Sequence, residues 1–193
     1  MHKLAGTVSK EGGIGIISCA DIGYKEEDFN KNPMEANLRA IKKEIKMARE
    51  IAGEDKILGV NIMVAMKEYA SLVKACVKEK IDLIVSGAGI PKDLPEYVKG
   101  TITKIAPIVS SLRCCKLIVK HWMTKYDYVP DMIVIEGPEA GGHLGFKREE
   151  LDEENKPKLE DITSEIVEYI KGVEKETGKE IPCLLYTSDA ADE

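Results

Sequence analysis

One histidine in this sequence stands where it could move a proton. His143 lies in Glu136-Gly-Pro-Glu-Ala-Gly-Gly-His-Leu-Gly145, directly after the apolar run Met132-Ile-Val-Ile135. The run is short and bounded by turn signals, which predicts a buried strand. Gly137, Gly141, Gly142 and Gly145 permit positive φ and a close backbone approach to something bulky. An imidazole there can exchange protons near neutral pH. Taken alone, a Gly-Gly-His turn suits a packing or capping loop as well as it suits chemistry. Other polar candidates fall in comparable places: Asn61 in the later half of Ile57-Leu-Gly-Val-Asn-Ile-Met-Val64, Ser86 to Gly89 after Ile81-Asp-Leu-Ile-Val85, and Ser110 after Ile105 to Val109.

The elements that must position these residues alternate. Leu4, Ala5 and Val8 predict one face of a first helix, which Glu11-Gly-Gly13 stops before a strand at Ile14 to Ile17. A polar loop follows from Asp21 to Lys31. Asn32-Pro-Met-Glu35 is a helix start, with Asn as N-cap and Pro in the first turn. Leu38, Ile41, Ile45, Ala48 and Ala52 continue it as an apolar stripe ended by Gly53. The strand Ile57 to Val64 is apolar on both faces, as in a covered parallel sheet. Further helices are predicted around Tyr69 to Cys76, Leu94 to Val98, Leu112 to Trp122, and Ile162 to Val173. In that last helix the stripe passes through Tyr169 or Ile170. Lys147 to Asp161 is a charged, solvated connection.

Five strands alternating with helices are typical of βα units, either a doubly wound sheet or a barrel. The polar candidates all fall at the carboxyl ends of strands, which in a βα barrel form one rim where active sites sit. A complete barrel takes eight strands and about 250 residues, more than this chain has.

Composition narrows the function classes. A chain of 193 residues with 44% hydrophobic and 32% charged residues can bury one domain core. A net charge of −6 with no basic face argues against nucleic-acid binding. No apolar run is long enough to span a bilayer, and the N-terminus lacks a signal-peptide pattern. Cys19, Cys76, Cys114, Cys115 and Cys183 make no Cys-x-x-Cys pair, and with three histidines in the chain no metal site is expected. Reduced thiols suggest the cytoplasm. Gly12-Gly13-Ile-Gly15 precedes a strand rather than following one, so it is a packing turn and not a dinucleotide fingerprint. His121, beside Trp122, is expected at the surface or in packing.

The histidine loop resembles that of the nitronate monooxygenases, formerly 2-nitropropane dioxygenases. The related flavin-dependent enoyl-acyl-carrier-protein reductases II carry a similar loop. Leu4 to Ile17, Gly59-Val-Asn-Ile-Met63 and Val85-Ser-Gly-Ala-Gly-Ile-Pro91 agree with the family in order and spacing. The resemblance implies an α/β fold, an incomplete TIM-type (β/α)8 barrel of parallel strands lacking the first and the last strands. Residues 1–182 would be this partial FMN-dependent domain. Residues 183–193, Cys-Leu-Leu-Tyr-Thr-Ser-Asp-Ala-Ala-Asp-Glu, fit neither the family nor a βα pattern and read as a non-native tail.

The resemblance implies FMN as cofactor, a nitronate or nitroalkane and O2 as partners, and oxidation of an alkyl nitronate to a carbonyl compound plus nitrite. His143 would be the base. Asn61, Glu136, Gly141, Gly142, Ser86 and Gly87 would meet the cofactor or shape its pocket. Glu136 stands where many relatives carry Gln, and a structural turn explains Ser86 and Gly87 equally well. Homo-oligomerisation is left open. The nearest alternative is an FMN- and NAD(P)H-dependent enoyl-acyl-carrier-protein reductase. An alternative of another class is an inactive truncated barrel, which would hold FMN poorly.

Overall fold

A computed structural model describes residues 1–152 and 156–187. The chain folds as two units. One comprises Met1–Ser86 with Glu96–Ile105, the other Gly87–Pro95 with the residues from Ala106 onward.

The first unit alternates α1 (His2–Lys10), β1 (Gly15–Ser18), α2 (Pro33–Ala52), β2 (Leu58–Met63), α3 (Tyr69–Lys78) and β3 (Leu83–Gly87, its last residue in the second unit). The strand order is β1-β2-β3, and β1 runs parallel to β2 with Gly15 opposite Leu58 and Ser18 opposite Asn61. Neighbouring residues in parallel register share a face. Ile17, Val60 and Ile62 are fully buried on one face. Ile16 and Ser18 are exposed on the other, and Asn61 and Met63 are half-buried there.

Helix α1 does not bury the face that its apolar residues suggest. Leu4 is 75% exposed and Val8 is exposed, while Ala5, Gly6 and Ser9 are buried. Close approach is the reason. A Cβ on Gly6 would stand 2.8 Å from the Ala48 carbonyl oxygen, and one on Gly15 only 1.9 Å from that of Ala5. Only a small-residue face can come so near, and Gly12-Gly13-Ile-Gly15 is the packing turn this contact needs. The Ser9 hydroxyl joins the pieces, donating to the Ile57 carbonyl at 2.7 Å and accepting from the Gly15 N–H at 3.0 Å. Ser9→Ala would leave the buried Gly15 N–H unpaired and take a donor from the carbonyl of the exposed Ile57. We expect it to cost about 1–3 kcal/mol, read from the shift in the urea midpoint.

Helix α2 starts where expected, with Pro33 in its first turn, although Asn32 makes no side-chain cap bond. Ala36, Ala40, Ile41, Ile45, Ala48 and Ala52 line its buried face, and Gly53 ends it at φ +97°. Asn37 is buried in place of Leu38, because its Oδ1 accepts the Gly23 N–H at 2.8 Å and anchors the polar loop. At the other end Arg49 donates to the Lys56 carbonyl and to Asp82, and Asp82 also accepts the Leu58 N–H at 2.8 Å. One carboxylate thus fixes where β2 and β3 begin.

The second unit carries β4 (Lys104–Val109, from Ala106), α5 (Leu112–Tyr126), β5 (Ile133–Glu136), α6 (Leu159–Thr177) and a strand β6 (Cys183–Tyr186). The short helix α4 (Leu94–Val98) forms as expected, its first two residues counted in the second unit and the rest in the first. Ser111 caps α5, its hydroxyl accepting the Cys114 N–H at 3.3 Å. Trp122 is fully buried, with Nε1–H donating to the Pro91 carbonyl at 3.0 Å. His121 packs edge-on to Tyr126. In α6 the buried stripe is Ile162, Ile166, Ile170 and Val173, so Ile170 rather than Tyr169 faces inward.

Cys183 to Tyr186, which in sequence carry no βα pattern, pair in parallel with β5, Ile133 opposite Cys183 and Glu136 opposite Tyr186. The apolar Cys-Leu-Leu-Tyr segment suffices for a strand once α6 returns the chain beside β5. The remainder of that tail, from residue 188, lies outside the described residues, as do residues 153–155 of the charged connection. Among the described residues no helix is long and apolar enough to cross a membrane.

Candidate functional site

The histidine loop is tied down on both sides of His143. Val109 pairs with Ile135, so one residue further along each strand Ser110 comes level with Glu136. Both reach Gly145. The Glu136 Oε2 accepts the Gly145 N–H at 2.7 Å, and the Ser110 hydroxyl donates to the Gly145 carbonyl at 2.9 Å. On the other side the Tyr186 hydroxyl donates to the Gly141 carbonyl at 2.9 Å, and the Gly137 N–H donates to the Tyr186 carbonyl at 2.7 Å. Between these ties Gly142 adopts φ +86°, with nothing within 4 Å of where a Cβ would stand. His143 itself is exposed.

Glu136 is 5% exposed, and burial pushes its carboxyl above the ordinary range against the opposing pull of the Gly145 N–H. The carboxylate in turn helps to raise the Cys114 thiol, after burial. A carboxyl that binds its proton more tightly folded than unfolded makes folding less favourable once ionised. That penalty is absent below the unfolded carboxyl pKa and grows as pH rises through the folded one. Glu136→Gln removes the titration and keeps an acceptor oxygen. Its stability relative to the parent chain should therefore rise between about pH 4 and neutrality. Denaturant midpoints of the two proteins across that range check the sign, and a constant difference would contradict it.

The other positions divide by what their groups already hold. Ser86 is fully buried, its hydroxyl donating to the Ile62 carbonyl at 2.9 Å and sharing a hydrogen bond of 2.9 Å with the Tyr69 hydroxyl. It fastens β3 to β2 and to α3. A Cβ on Gly87 would stand 2.8 Å from Ile108 Cδ1, so packing against β4 requires a glycine there. Ala88 and Gly89 turn the chain at φ +51° and +132°. Asn61 stands half-buried on the exposed face of β2 in the first unit, its carbonyl accepting the Cys19 N–H at 3.0 Å. The five cysteines are free, and burial pushes Cys115 up to about 12, which leaves little thiolate near neutral pH. Tyr186 lies in a segment that carries no βα pattern in sequence, and Ser110 reads from the sequence only as a strand end.

The family model for nitronate monooxygenase matches residues 1–184. The chain belongs to the nitronate monooxygenase family. That is a family of flavin-dependent oxidoreductases. A search among curated proteins finds no match. Among solved structures, a variant of FabK from Thermotoga maritima is similar at 24% identity and TM-score 0.67, over 96% of this chain and 49% of that one. Nitroalkane oxidase from Streptomyces ansochromogenes is similar at 15% identity and TM-score 0.68, over 96% and 54%. These likenesses carry the fold, an incomplete TIM-type barrel of parallel strands alternating with helices. The chain spans about half the length of the structures it matches.

A flavin of the kind this family uses suits the loop on one count that the structure supplies. The backbone at Gly141 and Gly142 is exposed, and the space over Gly142 is open to a flat ring.

Proposed function

We propose that the protein oxidises alkyl nitronates with O2 to a carbonyl compound and nitrite, with FMN as its cofactor. The observation that carries this reading is His143, exposed in a glycine loop that is fastened at Gly141 and Gly145. The family match over residues 1–184 supports it. Bound FMN would supply the electron transfer between nitronate and O2.

The chain's own residues set proton traffic and orientation. His143 accepts the α-proton of a nitroalkane at an imidazole nitrogen, or stands beside the nitronate carbon when the substrate arrives already deprotonated. The Asn61 amide can donate and accept at once, which suits the alternating polar edge of an isoalloxazine. Gly141 and Gly142 offer backbone where a side chain would block the ring. Ser86 and Gly87 contribute by holding the end of β3 in shape. Glu136 contributes through the loop it holds.

Anaerobic mixing separates this function from enoyl reduction. With FMN added to the protein, propionate 3-nitronate should bleach the visible absorption of the oxidised flavin, while NAD(P)H followed by a crotonyl thioester should not cycle it. Rapid reduction by NAD(P)H with reoxidation by the thioester would overturn the proposal in favour of an enoyl reductase.

A further inference from the structure

The peptide at Gly145, two residues after His143, is held from both sides. The Gly145 N–H points at a carboxylate from the end of β5, at 2.7 Å, and its carbonyl receives the hydroxyl that follows β4, at 2.9 Å. Both bonds come from side chains, so Glu136 and Ser110 fasten this side of the loop to the ends of β5 and β4. Gly145 is the residue the geometry demands. A Cβ there would lie 2.5 Å from the Ser110 hydroxyl oxygen and 2.9 Å from Glu136 Oε2. Two residues before it stands the exposed imidazole, and two residues before that the Gly141 carbonyl is tied to Tyr186.

We propose that Glu136 and Ser110 are positioning residues, a two-sided clamp on the Gly145 peptide that fixes the place of His143. This rests on the proton-transfer role given to His143 above. Glu136 acts here through the backbone it grips. A carboxylate that accepts a backbone N–H makes a charge-assisted bond, stronger than a neutral one, and burial away from water strengthens it further. Proton abstraction from carbon tolerates little displacement, since a shift of about 1 Å in a catalytic group can cost about a hundredfold in rate.

The clamp can be read without turnover. In the full chain without FMN, hydrogen exchange at the Gly145 amide should be slowed, and Glu136→Ala should speed it by about tenfold or more. Glu136→Gln keeps an acceptor oxygen and should restore protection to within a few-fold of the parent. Ser110→Ala, which leaves the buried carboxylate alone, should move the His143 ring resonances toward those of a mobile side chain. It also serves as the second test if Glu136→Ala does not fold. With FMN and a neutral nitroalkane, Glu136→Ala should lower kcat by about ten- to a hundredfold with little change in KM, and Glu136→Gln should recover most of it. Unchanged exchange at Gly145 in Glu136→Ala, or unchanged His143 resonances in Ser110→Ala, would overturn the clamp. An intact clamp in a protein inactive on nitroalkanes and nitronates would instead overturn the proposed function.

Discussion

Replacing His143 with glutamine is expected to lower nitrite release from a neutral nitroalkane by about two to four orders of magnitude, the range that a positioned general base supplies. The same variant should lose much less with the preformed nitronate, because that substrate has already surrendered its α-proton. The contrast isolates the proton transfer from electron transfer and binding, which both substrates share. The exposed imidazole can meet a carbon acid from solvent, and the ties at Gly141 and Gly145 limit how far it strays. Equal losses on the two substrates would show His143 acting in binding or orientation, without a base role. Steady-state nitrite assays at saturating O2 give the comparison directly.

The largest expected effect on stability lies at Trp122. Its ring is fully buried in the second unit, packs edge-on to Tyr128 at 6.1 Å, and donates to the Pro91 carbonyl at 3.0 Å. Trp122→Ala removes that volume from α5 and leaves a cavity, with an expected cost of about 3–5 kcal/mol. For a chain of this length the cost corresponds to a fall in Tm of roughly 6–20 °C, followed by far-UV circular dichroism. Trp122→Phe keeps most of the ring but removes the indole N–H bond, leaving the Pro91 carbonyl with the Leu94 N–H at 3.3 Å, and should cost about 0.5–1.5 kcal/mol. If the alanine variant melts within a degree or two of the parent chain, Trp122 is not the keystone of this unit. Because the residue lies away from the histidine loop in sequence and packs on the Pro91 turn, Trp122→Phe should leave substrate selectivity unchanged.

Much of the architecture was legible in the sequence because strand and helix periods differ. Ile-rich runs of four to six residues separated by amphipathic stretches dictate βα units, and the short helix at Leu94–Val98 emerged at its observed bounds. Errors arose where tertiary contact overrides local pattern. Leu4 and Val8 look like a buried face, but the approach of α1 to Ala48 admits only Ala5, Gly6 and Ser9. The facing of Ser86 could not be read at all. Every residue of Leu83–Gly87 is buried, so no polar alternation reveals the pleat, and only its bonds to Ile62 and Tyr69 do.

The candidate site was legible in part. His143 and its glycines announced themselves by type and spacing. The groups that hold them did not, because Ser110 and Glu136 are far apart in sequence and become neighbours only through the register of β4 on β5. Tyr186 was hidden for a different reason: its segment carries no turn signal or alternation to mark it as a strand, and only pairing with β5 makes it one.

Oxygen uptake measured together with nitrite is the most direct test of the central claim. Protein supplemented with FMN and supplied with propionate 3-nitronate in air should consume O2 and release nitrite together, with His143→Gln suppressing turnover of nitroethane far more than that of the nitronate. Flavin-loaded protein that consumes no O2 and releases no nitrite with either substrate would contradict the account.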